Sequence, residues 1–178
     1  MNTTIVQNSG GRWHAWVDDG HTFNTGGHLT ESDAREALRK LLFRACPILQ
    51  DYLATALADL QLGDAEEGEA RDSGTVYDCP NDTFERAAND CFAFMAANHQ
   101  HVEAATELEP GSDGLRYSRG DPMDHDRIGS TFYLSRVGTG VGFTDDGNAD
   151  CLKALEAYAG EHSTEGLYFG EDGKAYWA

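Results

Sequence analysis

Basic residues are scarce in this chain. Thirteen lysines and arginines stand against 31 aspartates and glutamates, a formal net charge of −18 over 178 residues. A field of that sign repels a phosphate backbone and argues against direct nucleic-acid binding, while it attracts basic partners. Long apolar runs are missing as well, and with them any span of about 20 residues that could cross a bilayer. The opening Met-Asn-Thr-Thr-Ile-Val has neither the basic region nor the apolar core of a signal peptide. The expectation is a soluble, cytoplasmic protein. The four cysteines, Cys46, Cys79, Cys91 and Cys151, include no CxxC spacing, so no thiol-based metal or redox motif is present. They are expected to be buried, unpaired thiols. There is no Gly-x-Ser-x-Gly elbow and no P-loop lysine. No catalytic residue, cofactor or metal is therefore expected.

What is present is enough for a core, at 40% hydrophobic residues. The acidity is uneven. Residues 1–61 hold seven acids and five bases, for −2; residues 62–128 hold sixteen and five, for −11; residues 129–178 hold eight and three, for −5. Rows of carboxylates concentrated in one region describe an acidic face better than a uniformly acidified surface.

Local patterns suggest the following order of elements. Trp13, Ala15 and Val17 alternate with polar or outward positions, and Asp18-Asp19-Gly20 supplies a turn, giving a hairpin over 12–25. Thr30, with Asp33 three residues on, caps a helix with an Ala34, Ala37, Leu38, Leu41, Leu42 stripe. Cys46-Pro47 breaks it. Leu49, Leu53, Ala56, Leu57 and Leu60 mark a second helix ending at Gly63. Residues 62–76 carry five acids, one base and few large apolar side chains, which reads as a linker. Asp82 caps a third helix with Phe84, Ala88, Cys91, Phe92 and Met95 on one face, interrupted at Asn98-His99-Gln100-His101. Val102 to Leu108 continues it. A Gly- and Asp-rich connection follows over 109–127, with a short strand at Leu115 to Ser118. Asn148 or Asp150 starts a helix that buries Cys151, Leu152, Leu155 and Ala159 and stops at Gly160. Leu167-Tyr-Phe and Ala175-Tyr-Trp form a closing hairpin around Gly170-Glu-Asp-Gly173.

The stretch from Arg127 to Gly147 stands apart. Phe132, Leu134 and Val137 are read as an alternating strand, and Gly138, Gly140 and Gly142 lie in a second arm against which something packs closely. The segment resembles a domain of many uncharacterised phage proteins that carries an Asp-Phe-Trp-Leu-Thr-Arg-Asn-Gly-His-Gly-Ala-Gly-Phe-Trp-Asp string. The resemblance spans roughly residues 82–178. Tyr133, Val137, Thr139 and Thr144 depart from it, standing where that family shows Trp, Asn, His and Trp. It implies a phage or prophage origin and implies no reaction. Residues 12–44 and 131–160 share a hairpin-then-helix order without residue matches.

Two clusters could hold a metal. Asp121-Pro-Met-Asp124-His125-Asp126 joins carboxylates to an imidazole but lacks EF-hand spacing. His99 and His101 would lie about 200° apart on a regular helix. Both are read as polar surface.

The expected fold is α+β: an N-terminal β-hairpin plus two helices (1–61), an acidic linker or loop (62–76), then helices packed on a small antiparallel sheet (77–178). The expected function is that of a phage-encoded acidic binding protein that blocks a basic, nucleic-acid-binding host protein. It would be of the anti-restriction or anti-CRISPR type, acting as a DNA mimic in the host cytoplasm. The acids assigned to the partner are Glu103, Glu107, Glu109, Asp113, Asp121, Asp124 and Asp126. The alternative is a phage accessory protein that binds a small ligand or metal through the hairpin and the Asp/His loop, or a virion or assembly component.

Overall fold

A computed structural model describes residues 2–18, 22–66, 75–77, 79–108 and 123–178. The chain is mixed α+β, and it divides into two compact units, Met1–Cys46 and Pro47–Ala178. The division falls at the Cys46-Pro47 helix break, not in the acidic 62–76 segment. The second helix therefore belongs to the C-terminal unit. Among the described residues no helix is long and apolar enough to cross a membrane.

In the first unit, β1 (Asn2–Gln7), β2 (Trp13–Asp18) and β3 (Thr22–Asn24) form one antiparallel sheet in that order. The expected hairpin is β2–β3; its turn lies outside the described residues. β1, rich in β-branched side chains, adds a third strand in unbroken register, Ile5 opposite Ala15 and Thr4 opposite Trp16. Helix α1 (Glu31–Ala45) packs on β2. Its start is the expected capping box: Thr30 Oγ1 accepts from Asp33 N at 3.1 Å, and Asp33 Oδ2 accepts from Thr30 N at 3.3 Å. Such a cap contributes about 1 kcal/mol. Ala34, Leu38 and Leu42 are buried in this small core together with Ala15.

The second unit is helical. It runs α2 (Leu49–Glu66), α3 (Asn81–Thr106), α4 (His125–Val137), a 3₁₀ turn at Phe143–Asp145, α5 (Asp150–Glu161), and the antiparallel pair β4 (Leu167–Phe169) and β5 (Ala175–Trp177). The closing hairpin and the buried face of α5 are as the sequence predicts. α2 runs past Gly63 to Glu66, so part of the expected linker is helix; residues 67–74 lie outside the described set, as does the expected strand at 115–118. α3 is one element with a kink at Asn98 (φ −118°, ψ 17°), where the polar break was expected. The Asn98 side-chain amide donates to Phe94 O at 3.0 Å, a contact back to the preceding turn. The α3 N-cap position is Pro80, with no side-chain cap, and not Asp82.

The main correction concerns residues 127–147, which form no hairpin. Residues 125–137 are a helix, and the proposed echo of 12–44 in 131–160 disappears with the hairpin. The helix signals were available. Asp124 Oδ1 accepts from Arg127 N at 2.8 Å as an N-cap, and Gly138 (φ 71°) ends the helix in the left-handed region. The period was hidden because α4 is buried on two sides. Ile128, Phe132 and Arg136 face inward along one row, and Gly129 and Tyr133 along the next. A Cβ at Gly129 would collide with the Ile48 carbonyl, so α2 and α4 meet backbone to backbone. Gly142 also has a close neighbour: a Cβ there would meet the Glu156 carboxylate, which accepts from Phe143 N at 2.6 Å. Gly140 does not. It sits at φ 82° with open space around it, so it serves a turn and not a packed strand.

Gly129→Ala should therefore destabilise the chain by about 1–3 kcal/mol through overpacking. Chemical denaturation checks this, and an unchanged midpoint would show that the α2–α4 contact is looser than described. Gly140→Ala should cost less, through its positive φ alone.

Candidate partner-binding surface

The direction of each helix in the second unit decides where the acids fall. α3 runs antiparallel to α4. Asp90 near the start of α3 meets Arg136 at the end of α4, while Met123 N, just before α4, donates to Ala105 O near the end of α3 at 3.2 Å. α2 runs parallel to α4, with Ile48 against Gly129 and Asp59 against Tyr133. The C-terminal end of α3 and the N-terminal ends of α2 and α4 thus converge at one end of the unit.

Four of the seven acids expected to contact a partner lie at this end. Glu103 and Glu107 are exposed on the last turn of α3 and its C-cap. Asp124 and Asp126 are exposed at the N-cap and first turn of α4. Glu109, Asp113 and Asp121 lie outside the described residues. The structure adds Asp51, in the first turn of α2, which sequence reasoning passed over because it stands alone in a segment of low net charge. Burial pushes the Asp51 carboxyl above its ordinary range, and the adjacent Asp126 carboxylate, within hydrogen-bonding reach, raises it further, with Asp124 adding to the effect.

Few cations answer these acids. Among the described residues, none of Asp51, Glu107, Asp124 and Asp126 forms an ion pair, and Glu103 meets only His99 Nδ1, at 3.6 Å. Arg127, on the first turn of α4, is committed to Asp146. The helix termini act unequally. The positive N-terminal ends of α2 and α4 favour Asp51, Asp124 and Asp126, whereas the negative C-terminal end of α3 disfavours Glu103 and Glu107.

Elsewhere the polar groups are structural. Arg136 is 7% exposed and donates to Asp90 Oδ2 at 2.7 Å, to His162 O at 2.6 Å and to the Tyr52 hydroxyl. Burial holds the Tyr52 hydroxyl far above its ordinary range despite the nearby guanidinium. Burial likewise raises Tyr133, whose hydroxyl donates to Asp59 Oδ2 at 2.8 Å. A pocket of about 280 Å³ on α2 is walled by Ala54, Leu57 and Val76 and rimmed by Gln50 and Gln61, with no titratable side chain among its described lining residues.

Both metal candidates take other forms. Asp124 is spent on its cap, with His125 and Asp126 on the following helical turn. His99 and His101 are exposed positions within α3, on different faces. No group of three or more His, Cys, Asp or Glu side chains is placed to hold a metal among the described residues. The ligand-binding alternative loses the hairpin on which it drew. All four cysteines are buried, as expected, and none is joined in a disulfide.

Because the folded state raises the Asp51 pKa, it binds that proton more tightly than the unfolded chain does. Ionising Asp51 then costs stability as pH rises through its folded value, and the cost vanishes below its ordinary value of 3.8. Asp51→Asn should gain stability relative to wild type as pH rises from below that value to neutrality. Melting temperatures of both proteins across this range check it; a difference that stays constant or reverses contradicts the Asp51–Asp126 proximity.

Compared with known proteins, the chain matches no family model, no curated protein and no solved structure.

Proposed function

We propose that this chain is a phage-encoded acidic binding protein that blocks a basic, nucleic-acid-binding host protein, in the manner of anti-restriction and anti-CRISPR inhibitors. The observation that carries the reading is the convergence of Asp51, Glu103, Glu107, Asp124 and Asp126, from three helices, at one end of the second unit. Folding favours Asp51, Asp124 and Asp126 at helix N-termini but not Glu103 and Glu107, which crowd a helix C-terminus. A rigid array of carboxylates is what a groove built for phosphates would accept, given that duplex DNA presents one charge per about 1.7 Å of axis. The whole-chain charge of −18 adds long-range steering toward a basic surface. The phage assignment draws on the motif resemblance alone.

The test is affinity capture from host lysate at low and moderate salt, followed by DNA competition on the captured protein. Combining Glu103→Lys, Glu107→Lys and Asp126→Lys with Asp124→Asn, which keeps the α4 cap, should abolish capture and leave the fold intact by circular dichroism. Wild-type binding should weaken with salt and exclude DNA from the target. A charge-reversed protein that binds as well as wild type, or a saturated target that still binds DNA, would refute the reading.

A further inference from the structure

The two units differ in charge. Residues 1–46 hold five acids and five bases and are neutral, so the entire −18 falls on residues 47–178. The neutral unit ends in a strand whose outer edge pairs with no other strand among the described residues. β1 is at the edge of the β1–β2–β3 sheet. Trp13 exchanges backbone bonds with His28, and Ala15 O accepts from Thr25 N, so both point toward the β3 side. His14 and Trp16 therefore bond to Val6 and Thr4 of β1, and the N–H and C=O groups of Thr3, Ile5 and Gln7 face outward.

We propose that β1 is a self-pairing edge that joins two copies of this chain through an antiparallel β1–β1 ladder. With Ile5 on the two-fold axis, Thr3 of each copy stands opposite Gln7 of the other. The outward-facing residues then pair only with one another, each pair exchanging two bonds. Thr4 stands opposite Val6 on the outer face, where both are exposed. The strand Asn-Thr-Thr-Ile-Val-Gln has no charge, so no like charges meet across the axis. It also lacks the lysine, proline or bulge with which natural edges are blunted, and its register on β2 is unbroken. A second copy fits this edge better than a basic partner does, because nothing charged on it would steer one. Two acidic units repel each other, so the pairing strengthens as salt screens them. This is opposite to the salt dependence of the acidic end, which keeps the two proposals separable.

The test is sedimentation equilibrium of the full chain over a concentration series at low and high salt. The expected result is a reversible monomer–dimer equilibrium that tightens with salt. Thr3→Pro removes an outward N–H and leaves the β1–β2 ladder whole; Val6→Lys places a charge on an exposed position of the edge strand. Each should weaken dimerisation about tenfold or more, Thr3→Pro through the loss of a pair of hydrogen bonds and Val6→Lys through the charge it brings to the edge, with the far-ultraviolet spectrum unchanged. Amide exchange at Thr3, Ile5 and Gln7 should slow on dimerisation. A chain that stays monomeric throughout overturns the proposal, and so does a dimer that both variants leave intact.

Discussion

A buried cation, Arg136, organises the second unit. Arg136 sits over the rings of Phe132 and Tyr52, 5.3 and 5.9 Å from their centroids, and its donors reach α2, α3 and the end of α5. Removing a guanidinium from water costs several kcal/mol, and only complete pairing offsets that. Asp90 supplies the charge, Tyr52 and the His162 carbonyl supply two further acceptors, and Thr164 N closes the same corner by donating to Arg136 O at 3.0 Å. Few rearrangements of four elements could satisfy all of these at once. The aromatic core then fills in around the site, with Phe94 stacked on Phe132 at 4.1 Å and Trp177 against Tyr52 at 5.9 Å. Trp177 also donates to Thr83 O at 2.9 Å, and Thr83 Oγ1 donates to Ala175 O at 2.8 Å, which ties the closing hairpin to α3.

The Arg136–Asp90 pair anchors the first half of α3 to the end of α4, and Tyr52, in the first turn of α2, reaches the same guanidinium. With α3 antiparallel and α2 parallel to α4, the C-terminal end of α3 and the N-terminal ends of α2 and α4 meet, and their acids meet with them. The Asp51–Asp126 contact is a cost that the frame sustains, as is the placement of Glu103 and Glu107 at a helix C-terminus. Costs of this kind are where folding rules give way to function, which is why the acidic end, and not the buried Arg136 network, carries the functional reading.

Much of this was legible in residues. Thr30 with Asp33, the Pro47 break, the α5 face and the Gly170–Gly173 turn each announced themselves through local chemistry. The 127–147 segment did not. Alternating Phe132 and Leu134 looked like a strand because α4 is buried on two faces and because a glycine run after a helix cap resembles one within a hairpin. Tyr52 and Phe94, both fully buried, fell outside the stripes chosen for their helices, since an aromatic side chain reaches past the row on which its Cα lies. Of the site, the acids of α3 and α4 were visible as a charge run. Their meeting with Asp51 was not, because it depends on helix direction, which no local pattern encodes.

The claim that the buried Arg136 and its partner Asp90 act as one unit is tested most directly by a double-mutant cycle on Arg136→Met and Asp90→Ala, read by equilibrium unfolding. Asp90→Ala alone should cost about 2–3 kcal/mol, because it strands a buried guanidinium. The double variant should recover part of that loss, with a coupling energy on the order of 1–3 kcal/mol. Single losses that simply add would contradict the account and leave the helix directions to apolar packing alone.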